Sequence, residues 1–165
     1  MKGKNALNKL FLEMTNYYKG DQKRLNHFVK VHSYAKLIAE CEEIDDNIAF
    51  IIETAALTHD IGIKPGEALY NRNDGAIQEK LGPAEAEKML SKLGFDADVI
   101  NRVKYLIAHH HTYNNISEID YQILVEADFI VNISEDNLSK TAAMNVRDKI
   151  FKTKTGTNLL ENLFE

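Results

Sequence analysis

Histidine and aspartate occur in this chain at positions where a buried helix would carry apolar residues. His59 and Asp60 follow the apolar start of the segment Ala-Ala-Leu-Thr-His-Asp-Ile-Gly (55–62). An imidazole and a carboxylate are ligands that divalent transition metals accept. Burying an ionised carboxylate without a partner costs several kcal/mol, so Asp60 needs a cation, a proton or a network of hydrogen bonds. The pair therefore suggests a metal site at the end of a buried helix.

Two histidines nearer the N-terminus compete for a place at such a site. His27 lies one helical turn before Val31, on the apolar face that the periodicity predicts for segment 24–39. His32 follows five residues later, which turns a helix by about 140°, so the two side chains face different directions. We therefore predict that His27 faces the site and that His32 lies at its boundary or on the surface.

Two later segments also place polar residues on an apolar helical face. In segment 99–111 the face continues to His109 and His110, and His111 follows them. In segment 120–133 the face carries Asp128. A shared cation would explain why all these groups occupy positions that normally pack in a core.

The order of these residues resembles the HD-domain family of metal-dependent phosphohydrolases, whose pattern is a first His, a His-Asp doublet and a distal Asp. The match runs from about residue 24 to residue 132. The resemblance implies that His27, His59, Asp60 and Asp128 bind a first divalent metal. It also implies hydrolysis of a phosphoester, because a bound metal lowers the pKa of its water and offsets charge on a phosphoryl oxygen.

Some members of this family hold a second metal through further histidines between the doublet and the last aspartate. His109 and His110 match the later of these histidines, whereas the earlier one is expected in stretch 75–82, which contains no histidine. Either Glu79 replaces it as an oxygen ligand or the second site is absent, so one and two metals per chain both stay open. A mixed set of His and carboxylate ligands accepts Mn, Fe, Co, Ni or Zn.

The positions of other residues in the sequence suggest roles around such a metal. Asp60 is the residue best placed to contact both metal and water, and its loss is expected to abolish activity. Lys64 follows the doublet by one helical turn and is a second catalytic candidate that clamps the substrate phosphate, the alternative being a solvated loop lysine. Arg72 and His111 rank below Lys64 as further phosphate-binding candidates.

Two functions are compatible with these residues. The first is an enzyme that hydrolyses a phosphoester of a nucleotide or of another small phosphorylated metabolite. The alternative is a regulatory HD module that binds a metal or a nucleotide with little or no turnover. The complete set of four ligand residues favours the enzyme, because a degenerate module often loses a ligand.

Charge and composition limit the expected partners. The chain has 165 residues and a net charge of -5, whereas a general nucleic-acid binder is basic. A small phosphorylated substrate is therefore expected rather than duplex nucleic acid. The single cysteine, Cys41, excludes an internal disulfide, and no apolar run is long enough for a signal peptide or a membrane span. A cytoplasmic location is the expectation.

The periodicity predicts an all-α fold, with residues 1–165 forming a single compact domain of six or seven helices. The predicted helices are 5–19, 25–41, 47–58, 83–92, 97–109, 121–134 and 157–164. Residues 62–81 are predicted to form a long loop over the metal cleft, and Pro83 is predicted to open the next helix. The amphipathic tail 158–165 is predicted to pack back on the domain, the alternative being the interface of a homodimer.

Overall fold

The structure, a computed structural model, describes residues 3–164. Within these residues the chain forms nine α-helices and no β-strand, which confirms the all-α prediction. The helices are α1 (Lys4–Tyr17), α2 (Gln22–Cys41), α3 (Asp46–Thr58), α4 (Ile63–Tyr70), α5 (Gly75–Lys92), α6 (Ala97–Ile107), α7 (Ile119–Glu135), α8 (Lys140–Ile150) and α9 (Lys154–Phe164). None of the helices in this part of the chain combines the length and the apolar composition needed to cross a membrane.

Side-chain oxygen atoms fix the points at which several helices begin. At the start of α2, Asp21 accepts a hydrogen bond from the Arg24 amide at 3.1 Å. Asp74 accepts one from the Ile77 amide at 3.4 Å at the start of α5, and Ser139 has the same role at α8. These oxygens satisfy amide groups for which the first helical turn provides no partner.

The prediction of a loop over residues 62–81 is wrong, because α4 and the first part of α5 occupy this segment. Pro65 lies in the first turn of α4. Its missing N–H costs nothing there, since amides of the first turn have no helical partner in any case. The number of helices therefore exceeds the predicted six or seven, with α4 and α8 as the additions.

Pro83 lies inside α5 and does not open it, which corrects a second prediction. Because Pro83 cannot donate to the carbonyl of Glu79, the helix lacks one internal hydrogen bond. The helix is closely packed beside Pro83. A Cβ atom on Gly82 would lie 2.6 Å from the Ile107 side chain, and one on Gly62 would lie 2.8 Å from the Gly82 nitrogen. The backbone at Gly62 therefore passes α5 at Gly82 at a distance that only glycine residues allow.

The centre of the fold consists of α2, α3 and α7, which all contact one another, while α6 packs on α3 and α5 packs on α6. One hydrophobic cluster joins these helices. Its fully buried members include Phe28, Ile38, Ile52, Ile61, Leu106, Ile123 and Leu124. The three central helices also carry or precede the four residues predicted to bind the first metal, so the core positions that site.

The C-terminal helices return the chain to this core beside α7, and Leu160 of α9 is fully buried. The buried carboxylate of Glu126 in α7 holds the start of α9. It accepts hydrogen bonds from the Gln122 side chain at 2.7 Å, from the amides of Lys152 and Thr153 at 2.6 and 3.0 Å, and from the Thr153 hydroxyl. The tail thus packs back on the domain as predicted, and the homodimer stays a prediction.

Candidate metal centre

His59 and Asp60 lie in the turn that ends α3. His59 is fully buried, and its Nδ1 donates a hydrogen bond to the carbonyl of Ala56 at 3.0 Å. Because a carbonyl group only accepts, this bond fixes a proton on Nδ1. The Nε2 atom is left to face the other site residues, in the orientation that a metal-binding imidazole requires.

His27 reaches the same point from α2. Its Nε2 lies 3.2 Å from Nε2 of His59 and 3.7 Å from Oδ2 of Asp60. Its Nδ1 donates to Glu135 at 3.0 Å, and the same carboxylate accepts a hydrogen bond from Lys30. A carboxylate behind a histidine orients the ring and makes its other nitrogen more basic. Glu135 therefore prepares His27 to act as a ligand.

α7 brings Asp128 to the same two imidazoles. Its Oδ1 lies 3.3 Å from Nε2 of His27 and 3.4 Å from Nε2 of His59, and it accepts a hydrogen bond from Asn132 at 2.9 Å. The Asp128 residue is 5% exposed, so water contributes little to stabilising its charge. Positive charge for this carboxylate has to come from the neighbouring groups.

Burial and mutual charge shift the pKa values of these residues. Burial acts to lower the pKa of His27, but the hydrogen bond and charge of Asp128, with the charge of Asp60, raise it to about 9. Burial acts to raise the pKa of Asp128, yet the hydrogen bond from His27 and the charge of His59 hold it well below its ordinary value. For Asp60 the effect of burial is likewise outweighed by the charge of His59, and the pKa falls to about 2. Metal binding at neutral pH therefore has to displace a proton from His27.

The donor set fits a divalent transition metal. His27, His59 and Asp60 each offer a ligand atom, and these atoms lie within 4.8 Å of one another, while Asp128 adds an oxygen next to both imidazoles. Ligand atoms lie about 2.0–2.2 Å from zinc, so two atoms on one such ion are at most about 4.4 Å apart. The contacts of His27 and His59 with each other and with the two aspartates, at 3.2–3.7 Å, satisfy that limit.

A second group adjoins the first at the other oxygen of Asp60. Asp60 Oδ1 lies 3.2 Å from Nε2 of His110, whose Nδ1 donates to the carbonyl of Ile107 at 2.7 Å. His111 has a ligand atom within 4.8 Å of those of Asp60 and His110. Asp60 therefore faces both groups, one with each carboxylate oxygen.

Two residues predicted for the second metal make other contacts. His109 donates from Nδ1 to the carbonyl of Tyr105 at 2.7 Å, and the two rings pack with their centres 4.3 Å apart. Glu79 accepts hydrogen bonds from the His111 amide and the Thr112 hydroxyl, both at 3.0 Å. His111, and not His109, thus accompanies His110 beside Asp60, and Glu79 secures the turn after α6.

The cations predicted to bind phosphate are engaged by other parts of the protein. Lys64 donates to the carbonyl of Tyr17 at 2.6 Å, and its ammonium lies 4.6 Å from the centre of that ring. Arg72 donates to Asp74 at 2.8 Å. Both side chains therefore have partners away from the His and Asp groups.

A polar cleft of about 640 Å³ opens onto the site. Pockets for small ligands typically measure about 300–1,000 Å³, so the cleft has the size for a small metabolite. His27 and Asp60 line it, together with the cations Lys23 and Arg24. Arg24 is held by Asp21 at 2.7 Å and by Glu67 at 2.5 Å. The lining of the cleft also includes Asn73, Gln78, Asn132 and Glu135.

Arg24, Glu135 and Gln78 are among the cleft residues that the sequence analysis did not predict. Arg24 precedes His27 by three positions and Glu135 follows Asp128 by seven, so helical spacing contains the signal for both. Gln78 carries no such signal, because it lies in segment 62–81, for which the sequence predicts a loop.

These features define a helical domain whose core residues are arranged to bind a divalent metal. The family model of the HD domain matches residues 24–152, and the chain belongs to this family. The crystal structure of a predicted HD superfamily hydrolase from an uncultured Thermotogales bacterium is similar, with a TM-score of 0.66 and 25% sequence identity, over 94% of this chain and 83% of that chain. A comparison with curated proteins finds no match. The resemblance seen in the sequence is thereby confirmed.

Proposed function

We propose that this protein is a metal-dependent phosphohydrolase that cleaves a phosphoester of a nucleotide or of another small phosphorylated metabolite. The observation that carries the proposal is the position of Asp60, which faces the first group through Oδ2 and the second through Oδ1. His27, His59, Asp60 and Asp128 would hold the metal. When bound, a divalent cation supplies an activated water and offsets the charge that develops on a phosphoryl oxygen.

The protein's own residues contribute orientation and charge. The low pKa of Asp60 keeps its carboxylate ionised at neutral pH, so it can accept a hydrogen bond from the attacking water and orient it. Phe28 lines the cleft and packs edge-on against His59, with ring centres 5.7 Å apart, which keeps bulk water from that imidazole. Arg24 provides a guanidinium on the cleft wall for a phosphoryl oxygen.

An exposed aromatic ring supports a nucleotide as the substrate. Tyr113 is 39% exposed, and its hydroxyl lies 3.4 Å from Nδ1 of His111. Exposed aromatic side chains can stack on bases. In single-stranded nucleic-acid complexes this stacking contributes about 1–3 kcal/mol per base. A nucleoside phosphate has a base that can stack on the Tyr113 ring, whereas a sugar phosphate has no base.

The proposal is tested by metal analysis combined with an activity screen. The purified protein is expected to carry transition metal, measured by elemental analysis, and to release phosphate from at least one compound in a panel of nucleotides and sugar phosphates with added Mn²⁺. A chelator should abolish that release. A protein that binds no metal would refute the metal centre, and metal binding without turnover across the panel would favour the regulatory module.

Arg24 and Glu67 provide a prediction about how the substrate phosphate is bound. Replacing Arg24 by alanine should raise KM for the best substrate by about 10-fold or more, because a charge-assisted bidentate contact is lost. Glu67→Gln should lower KM, because Glu67 competes with phosphate for the guanidinium. Steady-state kinetics measures both effects.

The opposite changes in KM expected for Arg24→Ala and Glu67→Gln distinguish a role in substrate binding from a purely structural ion pair. If the Arg24–Glu67 contact only supports the fold, both variants should impair activity and lower Tm together, which would contradict the prediction. Arg72→Ala is the matched control, since Arg72 is an exposed arginine bonded to Asp74. Its KM should equal that of the wild type.

A further inference from the structure

Tyr17 and Tyr18, at the C-terminal end of α1, contact the turn that carries Asp60. The Tyr18 hydroxyl lies 3.0 Å from the carbonyl oxygen of Asp60 and 3.4 Å from that of Ile61. A carbonyl oxygen only accepts, so the hydroxyl is the donor. In the opposite direction, the Lys64 ammonium donates to the carbonyl of Tyr17 at 2.6 Å. Side-chain contacts from both partners therefore join α1 to this turn.

The carbonyl of Asp60 is held at two points. Besides the Tyr18 hydroxyl, the Ile63 amide donates to it at 3.0 Å. Because the peptide group is planar, two contacts to its oxygen fix the orientation of the plane next to the Asp60 α-carbon. The direction in which the carboxylate leaves the backbone follows from that orientation. The α5 backbone also packs against this turn, at Gly62.

Packing keeps the Tyr18 hydroxyl in place. Tyr18 is 4% exposed, and its ring lies 5.4 Å from that of Phe28, which in turn packs edge-on against His59. The guanidinium carbon of Arg24 lies 5.8 Å from the centre of the Tyr18 ring. Water has little access to this position, so it cannot readily replace the hydroxyl as a donor to the Asp60 carbonyl. Tyr18 is therefore a fixed reference point for the turn.

We propose that Tyr18 is a positioning residue for the metal centre, which acts through the Asp60 backbone and raises the affinity for the metal. This inference rests on the metal centre of the proposed function. The two carboxylate oxygens of Asp60 face both groups of the site, so a change in their direction affects both groups. Partners that orient metal ligands typically contribute about 10–100-fold in affinity. The family model begins at residue 24, so Tyr18 lies before the part of the chain that it matches.

Metal affinity is the direct test, because it does not depend on turnover. Wild type, Tyr18→Phe and Tyr17→Phe are prepared without metal and titrated calorimetrically with Mn²⁺, at a temperature below the Tm of all three. Tyr18→Phe keeps the packed ring and removes only the hydroxyl, so we expect Kd to rise by about 10-fold or more. Tyr17→Phe is the matched control, because the Tyr17 hydroxyl bonds to Glu85 at 3.3 Å and its backbone carbonyl is unchanged. Its Kd should equal that of wild type.

The outcomes separate this inference from the proposed function. A Tyr18→Phe protein with the Kd of wild type would overturn the role of Tyr18, and a lower Tm without metal would then show that its hydroxyl supports only the fold. An equal rise in Kd in both variants would also overturn it, because the effect would then come from α1 in general. Either result leaves the phosphohydrolase proposal intact. A wild-type protein that binds no metal would instead refute the metal centre, and this inference with it.

Discussion

Replacing Asp60 by alanine should abolish metal retention and phosphate release together. Asp60 faces both groups of the site, so the variant removes a ligand atom and the carboxylate that orients water in one step. We expect activity to fall by at least about 100- to 1,000-fold, the size of effect seen when a single stabilising group is removed from an enzyme site. Asp60→Asn should behave similarly, because the amide keeps the shape of the side chain and loses its charge. Elemental analysis and phosphate release from the best substrate measure the two effects.

Asp148→Ala is the matched control, since Asp148 is an exposed aspartate paired with Arg147 on the surface. It should retain metal and activity. The measured Tm of each Asp60 variant in its metal-free form separates loss of function from loss of fold. A folded Asp60→Ala protein with full metal content and wild-type activity would contradict the role assigned to Asp60.

Glu126→Ala should have the largest effect on stability. The buried Glu126 carboxylate is the common acceptor of four hydrogen bonds, and the variant would remove it. The donors are the backbone amides of Lys152 and Thr153, the Thr153 hydroxyl and the Gln122 side-chain amide. Each unsatisfied buried donor costs about 1–3 kcal/mol, so we expect the free energy of unfolding to fall by about 3 kcal/mol or more. For a chain of this size such a loss lowers Tm by about 6–12 °C. Chemical and thermal unfolding measure both quantities.

Glu161 allows a direct comparison, because it is a glutamate in a partly exposed ion pair with Arg147 at 2.7 Å. Surface ion pairs contribute at most about 1 kcal/mol, so Glu161→Ala should be close to wild type. A Glu126→Ala protein no less stable than Glu161→Ala would show that the buried network does not hold α9 in place.

The helical period predicted which of two histidines faces the site. His27 lies among the ligand atoms, whereas His32 forms a hydrogen bond with Glu53 at 2.9 Å outside them. The five-residue spacing was sufficient for this choice because both histidines lie well within α2, where each residue turns the chain by about 100°.

The helical period gave a wrong result at the end of α6. It predicted a helix that continues to His109, but α6 ends at Ile107 and the following residues form turns. Beyond that point the position of a side chain no longer follows the helical period, so His109 turned toward Tyr105 while His110 and His111 faced Asp60. A difference of two residues in a helix end was enough to change which histidines lie at the site.

The two unpredicted helices give weaker signals than the helices that were predicted. α8 buries only Ala143 fully, and its apolar residues Val146 and Ile150 are partly buried against the core. α4 has eight residues and contains both Pro65 and Gly66, which resemble a turn in sequence. Contacts with the rest of the fold determine both helices, and a single sequence does not reveal those contacts.

The close contact of Gly62 with α5 also limits how this protein can be engineered for other substrates. A Cβ atom on Gly62 would lie 2.7 Å from the carbonyl oxygen of Gln78, and a backbone atom cannot rotate away as a side chain can. A library of variants should therefore keep Gly62 and Gly82 fixed. Leu69 and Tyr70 are 68% and 49% exposed at the end of α4. They offer positions where new side chains can be introduced without separating the two backbones.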